Sequence, residues 1–173
     1  MQQEIGVLRR LQSKSIPMIT DVLYDEKQVC LVMEYMQGIS LEEKIKRDGI
    51  MKEAEAVDCG IQIAELLCEL HNLPGKLVHG DLKPANLIWN QGRIALLDFG
   101  ASIFQYKGRE ERWGKEGTYY SPGYGAPELL NSSPITIESD VYALGAVLFY
   151  LITGKVPVDG KEFPSVREEI PEC

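Results

Sequence analysis

The sequence is poor in the residues that build metal sites and disulfide frameworks. It has only two histidines, His71 and His79, and its four cysteines, at positions 30, 59, 68 and 173, form no C-x-x-C pair. Structural zinc sites use Cys and His at short, regular spacings, so a zinc site is not expected. Scattered cysteines, together with the lack of an apolar signal-type segment after Met1, predict a reducing, cytoplasmic location.

Long hydrophobic runs are also missing. The longest apolar run covers the twelve residues 141–152 and includes Gly145. A helix that crosses a bilayer needs about 20 apolar residues, so no membrane segment is expected within the chain. The run instead predicts a helix that is buried on all sides.

Positive charge is in short supply. Lys and Arg number 18 against 26 Asp and Glu, which gives a formal net charge of −8. A nucleic-acid partner is therefore not expected, because phosphate backbones are held by basic surfaces. An acidic protein can still bind a nucleotide through divalent cations on its carboxylates. With 173 residues, of which 45% are hydrophobic and 25% charged, the chain predicts one packed domain.

The first half of the chain has helical spacing and cap residues. Apolar residues over 1–11 predict a helix, and the β-branched run over 29–33 predicts a buried strand. Ser40 with Glu43 predicts a capped helix that ends near Gly49. A second helix is predicted over 53–72, with a buried stripe formed by Val57, Ile61, Ala64, Leu67, Cys68 and His71.

From residue 76 onward the pattern changes to short strands and turns. Strands are predicted within 76–80, 87–89 and 93–100, with a hairpin turn at Gln91 and Gly92. Residues 101–123 have no regular period and predict an irregular functional loop. Helices are predicted to begin at Pro127 and at Asp140, the latter extending to Thr153.

Polar side chains are concentrated where these strands end. The segment HGDLKPAN contains Asp81, Lys83 and Asn86, and LLDFG contains Asp98. The oxygens of Asn86 and Asp98 are hard ligands that suit Mg²⁺ together with phosphate oxygens. Asp81 is left to accept a proton from an incoming hydroxyl, and Lys83 can neutralise charge on a transferring phosphoryl group. We expect the four groups to meet around one magnesium-sized gap.

Four segments of the sequence together resemble the eukaryotic-type (Hanks-type) serine/threonine protein kinase family. In chain order, they are HGDLKPAN, LLDFG, GYGAPE and SDVYALGAVLFYLITGKVP. The resemblance implies an α+β, protein-kinase-like fold that consists mostly of the helical C-lobe, with the C helix and last strands of the N-lobe. Residues 1–36 would be the end of the N-lobe and the hinge. Residues 37–173 would be a C-lobe that is incomplete at its C-terminus.

The resemblance also implies a reaction, which is transfer of the γ-phosphate of ATP, with Mg²⁺, to a Ser or Thr hydroxyl of a protein substrate. It makes Met33 the gatekeeper, Glu34 and Met36 hinge contacts to adenine, and Glu4 the C-helix glutamate. By the same resemblance, the catalytic residues are Asp81, Lys83, Asn86 and Ser121. The nucleotide would also be bound by Lys83, Asn86 and Asp98, and the metal ion would be bound by Asn86 and Asp98. Asp140 would hold the backbone of the 79–86 loop.

Several departures from the family pattern affect these expectations. The glycine-rich loop and the V-A-I-K strand are not within the sequence, so we expect the chain as given to transfer phosphate weakly or not at all. Gly80 stands where the family has an arginine that contacts an activation-loop phosphate, so we expect activity not to require phosphorylation of that loop. Extra residues between Gly117 and Pro122 leave Ser121 and Thr118 as alternatives for the substrate contact. Glu128 is expected to be a buried carboxylate without a partner.

Two other readings remain open from the residues alone. A small-molecule phosphotransferase of the aminoglycoside or choline type shares the HGD segment, the later Asn and a following Asp. A non-catalytic kinase-like binding module is favoured by the missing lysine strand and opposed by the presence of Asp81, Lys83, Asn86 and Asp98.

Overall fold

The computed structural model describes residues 13–24, 29–106, 109–112, 120–130, 133–159 and 165–169. The helix predicted over residues 1–11, with Glu4, lies outside the described residues, as does Thr118. Within them, five helices and eight strands occur in separate runs along the chain, so the α+β class predicted from the sequence is confirmed.

The helices are α1 (Leu41–Asp48), α2 (Glu53–His71), α3 (Pro127–Leu130), α4 (Ile137–Thr153) and α5 (Val166–Glu169), with a 3₁₀ turn at Pro84–Asn86. The strands are β1 (Ile19–Tyr24), β2 (Val29–Met33), β3 (Ile39–Ser40), β4 (Leu77–Val78), β5 (Leu87–Asn90), β6 (Arg93–Leu96), β7 (Ile103–Tyr106) and β8 (Arg109–Arg112).

The strands pair into three small antiparallel sheets, with orders β1-β2, β3-β5-β6 and β4-β7-β8. The hairpin between β5 and β6 turns at Gln91 and Gly92, whose φ angles are 50° and 83°, as the sequence predicts. Two residues with positive φ match the twist of the flanking strands. The side chain of Gln62 on α2 clamps this turn, donating to Gly92 O at 2.8 Å and accepting from Ile94 N at 3.0 Å.

Helix α1 begins and ends where its cap residues predict. The Ser40 hydroxyl accepts the N–H of Glu43 at 3.1 Å, and Gly49, with φ of 86°, follows the last helical residue. Strand β2 also forms as predicted, but it is not buried. Cys30 is exposed, and Val32 and Met33 each retain 39% of their accessible surface.

The buried face of α2 differs from the predicted stripe. Val57 and Ile61 are 49% and 53% exposed and Cys68 is exposed, so the prediction was wrong for these three side chains. The buried residues are Ala56, Cys59, Gly60, Ile63, Leu66, Leu67 and Leu70. The helix is apolar on more than one face, so its period alone does not decide which face packs. The contact with α4 decides it, because a Cβ at Gly60 would lie 2.9 Å from the side chain of Leu148.

Helix α4 begins three residues earlier than predicted. Thr136 is its N-cap, and the Thr136 and Ser139 side chains form a reciprocal capping box with each other's backbone N–H. The prediction that α4 is buried on all sides was wrong, because Val141 is 61% exposed. No helix in the part of the chain that the structure describes is long and apolar enough to cross a membrane.

The described part of residues 101–123 contains two strands, although the sequence predicted an irregular loop there. Strands β7 and β8 form a hairpin in this segment, and β7 pairs with β4 through Leu77–Phe104 and Val78–Ile103. Phe104 is fully buried in the main core, whereas Val78 and Ile103 belong to a second cluster with Ala126, Leu129 and Ile135. The sheet thus joins the 79–86 loop to the segment around residue 126.

Candidate active site

Asp81, Lys83 and Ser121 form a closed triangle of hydrogen bonds. The Lys83 ammonium donates to Asp81 Oδ2 at 2.6 Å and to Ser121 Oγ at 2.8 Å, and Ser121 Oγ donates to Asp81 Oδ1 at 2.7 Å. The Asp81 and Lys83 side chains are 17% and 27% exposed, so the ion pair is open to a ligand on one side. A carboxylate can accept about four hydrogen bonds, which leaves Asp81 able to receive another hydroxyl.

Asn86 is oriented by the same loop. Its side-chain Nδ2 donates to the backbone oxygen of Asp81 at 2.9 Å and lies 3.4 Å from Asp81 Oδ2. Pro84 begins the 3₁₀ turn that carries Asn86, which is buried. With the amide nitrogen occupied, the side-chain oxygen has no protein donor among the described residues.

Asp98 lies beside Asn86 at the end of the neighbouring strand. Leu96 pairs with Leu87, and the N–H of Leu97 donates to the backbone oxygen of Asn86 at 2.8 Å. Asp98 has a φ of 62°, and its Oδ1 accepts the N–H of Gly100 at 3.1 Å. Within the described ranges, no hydrogen bond joins the Asp98 carboxylate to the side chain of Asp81 or Asn86. The two predicted metal ligands are therefore adjacent through their backbones.

Met33 is the one predicted hinge-side residue that shares a cavity with Asp98. This cavity, of about 130 Å³, is lined by Ile16, Pro17, Ile19, Leu31, Met33, Asp98, Phe99 and Gly100. Glu34 is exposed, and its backbone N–H donates to Met18 O at 2.9 Å, so that amide is already occupied. Met36 is half-buried and is not one of the described residues that line this cavity.

The carboxylate of Asp140 holds the backbone of the 79–86 loop, as the family resemblance implied. Its Oδ2 accepts the N–H of His79 at 2.9 Å, and its Oδ1 accepts the N–H of Gly80 at 2.9 Å. The ring of His71, at the end of α2, reaches the same carboxylate at 2.8 Å. Sequence reasoning missed this contact, since it treated His71 only as part of an apolar stripe.

His79 is fully buried and serves the structure of the loop. Its Nε2 faces the carbonyl oxygen of Leu97 at 3.0 Å, so this nitrogen must carry the proton. Its ring meets Phe99 edge to face at 5.3 Å. Ser102, which sequence reasoning did not connect to the loop, is 1% exposed and donates from its hydroxyl to the backbone oxygen of His79 at 3.0 Å.

The segment around Ser121 is tightly packed within itself. A Cβ at Gly125 would lie 2.4 Å from Cδ2 of Tyr120, so the ring of Tyr120 occupies the space that a larger residue at 125 would need. Tyr124 is half-buried nearby, and burial raises the pKa of its phenol well above the usual range. The Ser121 hydroxyl contacts both Asp81 and Lys83, and Thr118 lies outside the described residues.

Glu128 does not match its predicted state. The carboxylate is half-buried, and its Oε1 accepts the hydroxyl of Ser139 at 2.7 Å. The expectation of a buried carboxylate without a partner was therefore wrong. Ser139 satisfies it from the first turn of α4.

Comparison with known proteins gives one family. The protein kinase domain model matches residues 1–172. The chain is 33% identical over 165 residues to Serine/threonine-protein kinase ATG1c of Arabidopsis thaliana. The matched region covers 92% of this chain and 22% of the plant protein. It is 32% identical over 161 residues to Serine/threonine-protein kinase H2 of Homo sapiens, and the matched region covers 90% of this chain and 40% of the human protein. Similarity to Myosin light chain kinase A of Dictyostelium discoideum is 30% over 179 residues, covering all of this chain and 58% of that protein. The chain thus spans 22% to 58% of the length of these relatives.

Proposed function

Because the chain belongs to the protein kinase domain family, we propose that the protein carrying it transfers the γ-phosphate of ATP to serine and threonine hydroxyls of a protein substrate. The names of its relatives favour this acceptor, since several are called serine/threonine-protein kinases. They also favour a protein kinase over a small-molecule phosphotransferase.

The observation that carries the proposal is the triangle of Asp81, Lys83 and Ser121. A carboxylate that accepts a proton and an ammonium that neutralises charge lie 2.6 Å apart on one partly open surface. An ion pair with only a structural role does not need a third group. Here the hydroxyl of Ser121, 40 residues from Asp81 in the sequence, forms hydrogen bonds with both members of the pair. Phosphoryl transfer depends mainly on such positioning and charge stabilisation.

In the proposed reaction, Asp81 orients the acceptor hydroxyl and receives its proton. A bond forms between the acceptor oxygen and the γ-phosphorus, the bond from that phosphorus to the bridging oxygen of ADP breaks, and ADP leaves. Lys83 offsets the negative charge on the transferring group. Ser121 holds Asp81 and Lys83 in register through its two hydrogen bonds.

The donor set at Asn86 and Asp98 fits a magnesium ion. Mg²⁺ prefers one or two protein oxygens together with waters and phosphate oxygens, and these two residues offer an amide oxygen and a carboxylate. When bound, the ion would neutralise phosphate charge. We propose Met33, Glu34 and Met36 as the adenine-facing residues and Glu4 as a residue of the nucleotide site. For Glu34 the backbone carbonyl is the available group, because its N–H already donates to Met18 O.

The test is a kinase assay on the full-length natural protein that contains these residues, with ATP, Mg²⁺ and a generic acceptor protein. Asp81→Asn and Lys83→Ala should each lower turnover by about 10²-fold or more, as expected for loss of an acid–base or charge-stabilising group. The matched controls are Asp58→Asn and Lys52→Ala, which change exposed residues at the start of α2 and should leave turnover unchanged. Binding of ATP without turnover would favour the non-catalytic module instead.

We also propose that the protein works in the cytoplasm. Its described cysteines, Cys30, Cys59 and Cys68, are free thiols. Free thiols and a dependence on ATP are both compatible with a reducing compartment. Fractionation of cells that express a tagged full-length protein would test the location.

A further inference from the structure

The loop that follows α4 contacts the segment that carries Ser121. Asp159 Oδ1 accepts the backbone N–H of Gly123 at 2.7 Å, across 36 residues of sequence. Asp159 is half-buried, and Pro157 in the same loop is buried. This carboxylate plays no part in the site as described above.

Gly123 is confined on its other side as well. Its φ is +83°, and a Cβ placed on it would lie 2.3 Å from Cγ1 of Val156 and 2.6 Å from the backbone oxygen of Pro157. The two backbones therefore approach as closely as a residue without a side chain allows. Asp159 supplies the one hydrogen bond recorded between this loop and Gly123 in the described part of the chain.

The position of Gly123 is transmitted to Ser121 by a tight turn. The backbone oxygen of Ser121 accepts the N–H of Tyr124 at 3.0 Å and the N–H of Gly125 at 3.1 Å, so residues 121–125 move together. At the start of the turn, Ser121 Oγ must lie within hydrogen-bond distance of both Asp81 and Lys83, at 2.7 and 2.8 Å. Such hydrogen bonds span about 2.5–3.2 Å between heavy atoms, so a small shift of the turn would break them.

We propose that Asp159 is a positioning residue for phosphoryl transfer. It fixes the 121–125 turn through Gly123 and so keeps the Ser121 hydroxyl on Asp81 and Lys83. The inference rests on the proposed function and deepens it. A protein substrate must bring its hydroxyl to Asp81 beside this turn, so loosening the turn should impair use of the acceptor much more than binding of ATP.

Steady-state kinetics on the active full-length protein test the role. Asp159→Ala should lower kcat/KM for the acceptor by about tenfold, while Asp159→Asn, which keeps a side-chain oxygen, should stay within about twofold of the natural protein. The KM for ATP should not change. Lys155→Ala is the matched control, since it removes the ion pair of the same loop with Glu169 and should leave acceptor kinetics unchanged.

A double-mutant cycle with Ser121→Ala tests the route of the effect. If Asp159 acts through Ser121, adding Asp159→Ala to Ser121→Ala should cost less than about twofold, because linked residues are not additive. A full additional tenfold loss in that background would overturn the proposal. An equal rise in the KM values for ATP and acceptor would also overturn it.

Hydrogen exchange gives a readout that does not depend on catalysis. The Gly123 amide should exchange about tenfold faster in Asp159→Ala than in the natural protein or Asp159→Asn, relative to the amides of α4. The comparison with α4 separates local opening from global destabilisation. Unchanged Gly123 exchange would refute the positioning role even in an active enzyme. If the natural protein has no kinase activity but the Gly123 amide exchanges faster in Asp159→Ala, the proposed function is refuted while the contact between Asp159 and the turn is retained.

Discussion

Asp140 on α4 accepts the backbone N–H of Gly80 at 2.9 Å, joining two residues that are 60 positions apart in the chain. Asp140 is 1% exposed, and its other oxygen serves the N–H of His79 and the ring of His71. A single buried carboxylate thus fixes both the loop that carries Asp81 and the end of α2. The geometry of the candidate site depends on this residue, although Asp140 itself touches none of the proposed reacting groups.

Replacement of Asp140 by alanine should strongly destabilise the fold. The buried N–H of His79 and the half-buried N–H of Gly80 would lose their acceptor, at roughly 1–3 kcal/mol for a fully buried group, so unfolding should become easier by about 2–4 kcal/mol. Urea denaturation at neutral pH measures this change. Asp140→Asn keeps one carbonyl oxygen and should cost less than the alanine variant. A loss below about 1 kcal/mol for Asp140→Ala would contradict the role of these hydrogen bonds.

Gly80→Ala should cost more than the same change at another glycine with positive φ. Gly80 has φ of +80°, and a Cβ there would lie 2.9 Å from both Ala101 O and Cδ1 of Ile135. Gly92 is the matched control, with φ of +83° and no atom within 4 Å of its Cβ position. Backbone strain alone costs about 1–2 kcal/mol and overpacking adds about 1–3 kcal/mol. Denaturation should therefore rank Gly80→Ala below Gly92→Ala in stability, and equal losses would count against the clash.

Local signals predicted the parts of the fold that depend on neighbouring residues. The bounds of α1 follow from Ser40 at its start and Gly49 at its end, and the hairpin at Gln91 and Gly92 follows from its turn residues. In each case the interaction closes within a few positions of the chain. Such signals are readable without knowledge of the tertiary structure.

Packing between distant segments could not be read in this way. Val57 and Ile61 have the same helical spacing as Ile63 and Leu67, yet only the latter pair is buried. The choice depends on α4, which approaches α2 at Gly60 through Leu148. Apolar periodicity identifies the helix, but it does not say which of two apolar faces meets another element.

The candidate site was predictable to the extent that its motifs are local. Asp81, Lys83 and Asn86 belong to one segment, and the family resemblance connected Ser121 and Asp140 to it. The contacts of His71 and Asp159 span 69 and 36 residues and involve no motif, so no sequence signal indicated them. The positioning contacts of His71 and Asp159 therefore became visible only in the fold.

The close packing of the Tyr120 side chain against Gly125 leads to a further prediction about stability. A Cβ at Gly125 would lie 2.4 Å from Cδ2 and 2.8 Å from Cβ of Tyr120, so Gly125→Ala should force the tyrosine from its place. The expected loss is about 1–3 kcal/mol of unfolding free energy. In the double variant with Tyr120→Gly, which also removes the Cβ that lies at 2.8 Å, the added methyl group should cost less than about 0.5 kcal/mol. Additive losses in thermal denaturation would show that the two side chains do not compete for space.

Cys59 provides the pH-dependent prediction. The thiol is 2% exposed, and burial raises its pKa to about 11 from an ordinary value of 9.0. It should resist iodoacetamide at pH 8 in the folded protein, whereas the exposed thiols of Cys30 and Cys68 should react. Peptide mapping after timed alkylation measures each site. Rapid labelling of Cys59 without unfolding would contradict its burial.

The same shift fixes the sign of a stability change at alkaline pH. Between about pH 9 and 11 the thiol is ionised in the unfolded chain but protonated in the folded one, so the folded state binds more protons and stability falls as pH rises. The slope from this thiol approaches about 1.4 kcal/mol per pH unit. Burial also raises the pKa of Tyr124 and Tyr150, so the natural protein and Cys59→Ala must be compared over the same range. The variant should lose stability less steeply than the natural protein, and Cys68→Ala, which removes an exposed thiol, is the matched control. Parallel curves for Cys59→Ala and the natural protein would rule out the contribution of this thiol.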